Sequence, residues 1–218
     1  MIKLHDIGVK YGEKVVYENF SLEIEDGKTT CILGESGCGK TTLLNAVAGI
    51  IGHTGDIPEL NCSYVFQTPR LVPNLTVKGN LQLICKDEER IEQLLKITNL
   101  SDKEKSYPAQ LSGGEAQRVS IARAFSVDSD ILLMDEPFNS LDLKLKLSIM
   151  KQFKDLQSGR KTVLFVTHDI DEALFLADRI VVLKNGKAAW DTPNDKNGEY
   201  GGQSELRKKL IEKLLEDN

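Results

Sequence analysis

One segment, Gly34-Glu35-Ser36-Gly37-Cys38-Gly39-Lys40-Thr41, constrains what this chain can fold into more than any other. It fits G-x-x-x-x-G-K-[ST]. The apolar run Thr29-Thr30-Cys31-Ile32-Leu33 precedes it, and a helical pattern follows from Thr41 and Thr42 to residue 51, closing near Gly52. Strand, glycine-rich turn and helix in that order are the context the pattern requires. The glycines let the backbone close around phosphate oxygens with its N–H groups turned inward, and the helix that follows adds a positive end. Lys40 is placed to reach the β- and γ-phosphates of a nucleotide, and the Thr41 hydroxyl to help hold Mg²⁺. A chance glycine-rich turn would not account for both flanking elements.

A second cluster of chemistry lies far along the chain. Ile131-Leu132-Leu133-Met134-Asp135-Glu136 is an apolar strand ending in two adjacent carboxylates. Neighbouring strand residues point to opposite faces, but where a strand ends and turns, both can face one crevice. Asp135 suits a direct or water-mediated hold on Mg²⁺, and Glu136 suits a base that orients an attacking water. Taken alone, the two acids would read as caps of the next helix. A phosphate loop upstream favours the catalytic reading.

The rest of the chain supplies a frame for these sites. Before residue 30, Ile2, Leu4, Ile7, Val9, Val15, Val16, Phe20, Leu22 and Ile24 alternate with polar residues and are cut by Gly8, Gly12 and Asp26-Gly27, which predicts two or three strands. Residues 75–110 are charged and helix-forming, with Ile91, Leu94 and Leu95 at helical spacing. A further helix over 116–126 carries Val119, Ala122 and Phe125 on one face. Apolar runs at 131–134, 162–166 and 179–183 alternate with helical stretches, the pattern of a parallel sheet with crossover helices. Leu141-Asp142-Leu143-Lys144-Leu145-Lys146-Leu147 has period two, which alone says strand, but its place between buried strands predicts a crossover helix. Residues 191–203 read as a loop. Leu206, Leu210, Ile211, Leu214 and Leu215 predict a C-terminal helix that docks on the domain.

Composition narrows the function. The charge sum of −5 gives no reason to expect a nucleic-acid partner. No stretch approaches the roughly 20 apolar residues of a membrane span, and Met1-Ile2-Lys3-Leu4-His5-Asp6 has no secretory core, so a protein kept inside the cell is expected. Cys31, Cys38, Cys62 and Cys85 form no C-x-x-C pair, which points to free thiols rather than a zinc site or disulfides. Cys38 stands apart. Inside the phosphate loop, beside backbone amides, it is expected to favour the thiolate and to be open to inhibitory alkylation that bound ATP blocks.

Leu111-Ser112-Gly113-Gly114-Glu115 places a hydroxyl and two glycines at the opening of a helix, a second anion-binding end for which a phosphate-loop kinase has no use. With it the chain resembles the ATP-binding cassette (ABC) ATPases, whose signature motif is this pentapeptide. The resemblance covers nearly the whole chain, with landmarks in family order. Tyr11 matches the aromatic that stacks on adenine, residues 34–42 the Walker A loop and Gln67 the Q-loop glutamine. Ser112, Gly113, Gly114 and Glu115 belong to the signature, residues 131–136 to the Walker B strand, Asn139-Ser140-Leu141-Asp142 to the D-loop, and His168 is the switch histidine.

The resemblance implies an α/β cassette with a RecA-like parallel-sheet core, an N-terminal antiparallel β part and a helical subdomain. One ATPase domain spans 1–218, with 1–74 and 116–218 as core and β part, and 75–115 as the helical subdomain ending in the signature. It implies an ATP hydrolase that uses ATP and Mg²⁺. Two copies would pair head to tail on ATP binding, so that Ser112, Gly113 and Gly114 touch the partner's γ-phosphate and Asp142 acts across the interface. Glu136 would polarise water, His168 contact the γ-phosphate, and Gln67 approach the Mg²⁺ already held by Thr41 and Asp135. A separate membrane permease is implied as partner, with a solute-binding protein in an importer, and a location on the inner face of the cell membrane.

Residues 66–77 are similar to the Q-loop region of nitrate-, sulfonate- and taurine-type importers, and Pro137-Phe138 and residues 168–173 are importer-like. Asn139-Ser140 departs from the pattern of lipoprotein-release and macrolide-export cassettes. Those export systems and a soluble non-transport ABC ATPase are the alternatives. Only 17 residues separate Gly49 from Gln67, so the usual strand–turn–strand there is expected to be trimmed. Ala116 stands where the family commonly has a longer polar or charged side chain, and with about fifty residues after His168 no regulatory domain is expected. The solute is not written in the motor.

Overall fold

The computed structural model describes residues 1–139, 141–157, 161–195, 200–202 and 204–215. They form two compact units. The first comprises Met1–Cys62, Asp130–Glu136 and Lys161–Asn218, the second Ser63–Ser129 and Pro137–Arg160.

In the first unit, β1 (Ile2–Tyr11) and β2 (Lys14–Ile24) form an antiparallel ribbon, and the short β4 (Thr54–Asp56) adds to β1 in the order β2-β1-β4. β1 buries Ile2, Leu4, Ile7 and Val9, and β2 buries Tyr17, Phe20, Leu22 and Ile24. Register shifts along the pair are why the alternation is irregular. The second sheet runs β6 (Ile131–Asp135), β7 (Val163–Thr167), β3 (Thr29–Leu33), β8 (Arg179–Lys184) and β9 (Lys187–Pro193). Every pairing among β6, β7, β3 and β8 is parallel, and β9 returns antiparallel to β8. All residues of β3, β6 and β7 are buried, as strands covered on both faces must be. The three strand runs expected after residue 130 are therefore present.

Helices of this unit differ from expectation in their ends. α1 (Lys40–Val47) stops at Ala48, short of Gly52, because the chain turns through Gly49 at φ 66. α6 (Ile170–Leu176) follows β7, capped by Asp169, whose carboxylate accepts from the N–H groups of Asp171 and Glu172. The C-terminal helix, α7 (Glu205–Leu215), does dock: Leu210 is fully buried and Arg207 pairs with Asp171 of α6. The segment expected as a loop from 191 begins three residues late, since β9 reaches Pro193; residues 196–199 and 203 lie outside the described residues. The stretch between Gly49 and Gln67 is not bare: it holds the three-residue β4 and β5 (Cys62–Val65), along which the chain passes to the second unit.

The second unit is helical. α2 (Val77–Gln82) and α3 (Glu88–Ile97) are capped by Thr76 and Asp87. Two 3-10 turns, Ser101–Lys103 and Pro108–Gln110, lead to α4 (Gly113–Phe125). α3 buries Ile91, Leu94 and Leu95, the positions its spacing marked. Asn80 is fully buried and holds the loop before α2 by hydrogen bonds to Val72, Leu75 and Thr76 carbonyls. α4 starts three residues before the predicted 116. α5 (Leu143–Gln157) settles the period-two segment as helix. Residues 141–147 include none that is fully buried, and the buried face of α5 starts at Ile149 and Met150, so the apparent alternation lies ahead of the helix's core face. Phe153 of α5 meets Phe125 of α4 edge-on at 5.7 Å between ring centres.

Candidate functional site

The predicted loop, acids and histidine of the first unit converge. Gly34 to Gly39 wrap from the end of β3 to the start of α1, with Gly37 at φ 84 and Gly39 at φ 110, conformations that side chains other than glycine rarely adopt. Gly34 is also sterically fixed, because a Cβ there would lie 2.6 Å from the Leu183 carbonyl and 2.8 Å from the Cys38 sulfur. Gly39 caps α1 with no side-chain hydrogen bond, and the first turn carries no acid, so the helix start stays available to an anion. Glu35 and Ser36 are exposed on the loop, and Thr42 is half-buried in the first turn.

Lys40 is 4% exposed, and its ammonium is held in the loop: Nζ donates to the carbonyls of Gly34 at 2.9 Å and Glu35 at 2.8 Å. Glu136 Oε1 lies 3.7 Å from that nitrogen, and Glu136 Oε2 lies 3.3 Å from His168 Nδ1. Thr41 Oγ1 donates to Asp135 Oδ1 at 2.9 Å. Burial pushes the Asp135 carboxyl up; the Thr41 hydrogen bond and Lys40 oppose this, and Glu136 adds to it.

The two acids face one site because the backbone turns between them. Asp135 ends β6 with an ordinary strand conformation, whereas Glu136 has φ 42, in the left-handed region. For a non-glycine residue this costs of order 1–3 kcal/mol and persists only where the surroundings enforce it. Here its N–H is tied to the Val166 carbonyl at 3.0 Å, which fixes the turn. His168 follows β7 and is 47% exposed. The loop carrying it is held from behind, since the Thr167 hydroxyl donates to Glu172 at 2.6 Å and accepts from Asp169 N–H at 3.0 Å. Tyr11 sits exposed at the end of β1.

An oxygen pair of one hydroxyl and one carboxylate fits Mg²⁺, which binds through one or two carboxylates together with phosphates and water rather than in an all-protein cage. No group of three or more His, Cys, Asp or Glu side chains with metal-binding geometry occurs among the described residues.

The remaining candidates belong to the second unit. Gln67 is exposed just past β5. Arg70 lies over the Phe66 ring at 3.8 Å, and Phe66 stacks on Tyr64. The α4 start differs from expectation. Ser112 Oγ accepts from Glu115 N–H at 3.2 Å, and Glu115 accepts from Ser112 N–H at 2.7 Å, a reciprocal capping box. That backbone hydrogen bond holds the Glu115 carboxyl below its ordinary range. Gly113 is exposed with nothing near its missing side chain, whereas Gly114 is buried and a Cβ there would overlap Leu145. Asp142 caps α5 by accepting from Leu145 N–H at 3.1 Å; Ser140 lies outside the described residues.

One expectation fails. Burial pushes the Cys38 thiol up, outweighing the Lys40 charge and the amides of Lys40 and Cys38, so this cysteine is no activated thiolate. All four cysteines are free, as expected. Sequence reasoning missed two residues. Tyr17, whose hydroxyl donates to the Gly39 carbonyl at 2.9 Å, belongs to no motif. Gln117, buried in α4, donates to the Pro137 carbonyl at 2.7 Å; its one signal is an amide on an otherwise apolar helix face.

A glycine-rich loop whose lysine and threonine meet paired carboxylates at the end of a parallel strand defines a P-loop nucleotide-binding core. The ABC transporter family profile matches residues 17–139, and the chain belongs to that family. It is 38% identical to the aliphatic sulfonates import ATP-binding protein SsuB 1 of Paracoccus denitrificans, over 94% of this chain and 89% of that protein. It is 36% identical to the Fe(3+) ions import ATP-binding protein FbpC of Fusobacterium nucleatum, over 85% of this chain but only 56% of that protein. The chain thus spans little more than half of the iron-type relative. Among solved structures, the dimeric post-hydrolysis state of the ATP-binding cassette MJ0796 bound to ADP and Pi superposes with a TM-score of 0.77 at 32% identity, over 91% of this chain and 100% of that one.

Proposed function

We propose that this chain is the ATP-hydrolysing subunit of an ABC importer, driving a separate membrane permease. The observation that carries the reading is the meeting of Lys40, Thr41, Asp135, Glu136 and His168 at one phosphate loop. Tyr11 would stack on adenine, while Gly34, Glu35, Ser36, Gly37, Cys38, Gly39, Lys40, Thr41 and Thr42 enclose the phosphates. Nζ of Lys40 donates to the Gly34 and Glu35 carbonyls; phosphate oxygens are stronger partners and would draw the ammonium toward a nucleotide. Glu136 then keeps His168 as its neighbour and is positioned to accept a proton from the attacking water, with His168 contacting the γ-phosphate. Thr41 and Asp135 would hold Mg²⁺, which when bound neutralises phosphate charge, and Gln67 is assigned to the metal by its match to the Q-loop glutamine.

Ser112, Gly113 and Gly114 of a second copy, with Glu115 bracing the Ser112 cap, would complete the site head to tail, and Asp142 would act across the interface. Closing such a sandwich excludes water and surrounds the γ-phosphate with fixed donors, and hydrolysis removes the contacts that hold it shut. Residues 75–115 would serve as the helical subdomain of a single ATPase domain; they fall within the larger helical unit, which also takes in α4 and α5. No described helix is long and apolar enough to cross a membrane, which suits a subunit docked on a permease at the inner face of the membrane. Relatives named for sulfonate and for ferric ion import are similar to a comparable degree, so the solute is assigned to permease and solute-binding protein rather than to this chain.

Affinity purification of the tagged chain from detergent-solubilised native membranes, followed by mass spectrometry, tests the reading. A multi-span permease is the expected companion. Recovery with soluble partners alone, and absence from the membrane fraction, would move the chain to a non-transport ABC ATPase.

A further inference from the structure

Tyr17 belongs to none of the sequence motifs, yet the phosphate loop rests on it. The residue is 2% exposed in β2, opposite Val9 of β1, with its ring 5.0 Å from that of Phe20. The strand is held close at this point: Gly186, at φ 71, lets the β8–β9 turn approach until a Cβ would overlap the Val16 carbonyl. From this fixed base the Tyr17 hydroxyl donates to the Gly39 carbonyl at 2.9 Å, and Leu43 N–H donates to the same oxygen at 3.0 Å. A carbonyl has two lone pairs, and both are thereby used. The ring also closes the space beside Gly39, since a Cβ there would lie 3.0 Å from the Tyr17 oxygen and 2.9 Å from Val16 Cγ1.

The geometry has a directional consequence. In a trans peptide the carbonyl and the next N–H point to opposite sides, so a Gly39 carbonyl pinned toward the core turns the Lys40 N–H the other way, into the loop. Most helix starts are oriented by a Ser, Thr, Asp or Asn cap, and α1 has none. Tyr17 supplies the missing constraint from another strand. Burial, with a smaller contribution from Cys38, pushes its phenol well above the ordinary tyrosine value, so the hydroxyl remains a donor at working pH.

We propose that Tyr17 is a positioning residue for nucleotide binding, whose hydroxyl sets the Gly39–Lys40 peptide and thereby the affinity of the loop for phosphate. The proposal rests on the nucleotide-binding reading of the loop. Phosphates held by the loop are gripped alike before and during the reaction, so losing the hydroxyl weakens ground state and transition state together. KM and Kd rise and kcat does not change.

The test compares wild type, Tyr17→Phe and Leu22→Ala, the last a core change on the same strand away from the loop. Kd for Mg-ADP is measured by calorimetry, KM and kcat for Mg-ATP by steady-state hydrolysis, and Tm by thermal unfolding. Tyr17→Phe is expected to raise Kd and KM about three- to ten-fold, the range for one buried hydrogen bond, with kcat within about two-fold. Leu22→Ala is expected to lower Tm while Kd stays at the wild-type value. Wild-type Kd in Tyr17→Phe overturns the proposal, as does an equal rise of Kd in Leu22→Ala, which would report general loosening. Wild-type chain that fails to bind Mg-ADP would overturn the nucleotide reading itself and the positioning role with it.

Discussion

Two glycine-rich helix starts in this chain look alike in sequence and differ in how their backbone is satisfied. At α1, Gly39 sits in the left-handed region, no side chain caps the helix and no acid occupies the first turn. At α4, Ser112 and Glu115 cap each other, and an acid stands in the first turn. A start with no side-chain cap and a positive dipole end makes the first a binding site for an anion within the chain. The second has already answered part of its own demand. What it can still offer is the Ser112 O–H, since the hydroxyl only accepts in the cap, and the exposed Gly113 backbone. That would suit the proposed role of a surface that adds contacts to a phosphate held elsewhere.

Substitution at the glycines separates the two starts most sharply. Gly39→Ala would place a Cβ 2.9 Å from Val16 Cγ1 in a backbone at φ 110. The loop must shift, and displacements near 1 Å cost about 100-fold in a positioned site. Calorimetry with Mg-ADP is expected to show that loss, and wild-type affinity would mean the loop is not set by Gly39. At α4 the effect moves from binding to stability. Gly114→Ala overlaps Leu145 and is expected to cost about 1–3 kcal/mol in thermal unfolding, whereas Gly113→Ala, with no atom within 4 Å of the new carbon, leaves Tm nearly unchanged. Adding Leu145→Ala to Gly114→Ala should recover much of the loss, because the two side chains compete for one space.

The smallest effects test the capping box. Ser112→Ala removes an N-cap, expected to cost about 1 kcal/mol and thus roughly 2–4 °C in Tm. The Glu115 carboxyl is lowered in the folded chain, so its contribution is present above its unfolded value of 4.5 and is lost as pH falls through the folded value. Glu115→Gln keeps an acceptor for Ser112 N–H but carries no charge. Its unfolding curve should therefore flatten across that acid range, and an unchanged acid limb would show that the box carries no linkage.

The same contrast explains what could be read from the sequence. Lys40, Thr41 and the loop glycines were legible because their chemistry is fixed by local spacing along one turn. Asp135 and Glu136 were legible as a pair, but not the left-handed turn at Glu136 that aims both into one site, since its tie to Val166 lies on a neighbouring strand distant in sequence. Tyr17 is 22 residues from Gly39 and reaches it only once β2 is folded, so no motif could have carried it. Cys38 misled because a loop position near amides suggests a thiolate, while burial, invisible in sequence, decides the outcome. At residues 141–147 a two-residue period arose around the start of α5, ahead of the fully buried face that begins at Ile149.

The central claim is that a phosphate held at α1 of one copy is completed by α4 of another. Glu136→Gln removes the carboxylate that would take the proton from water and leaves Lys40, Thr41 and Asp135 in place. Sedimentation of this variant with saturating Mg-ATP measures the claim directly. A doubled mass that reverts when ATP is replaced by ADP is the predicted result. A chain that binds Mg-ATP and remains a single copy across the concentration range would contradict it.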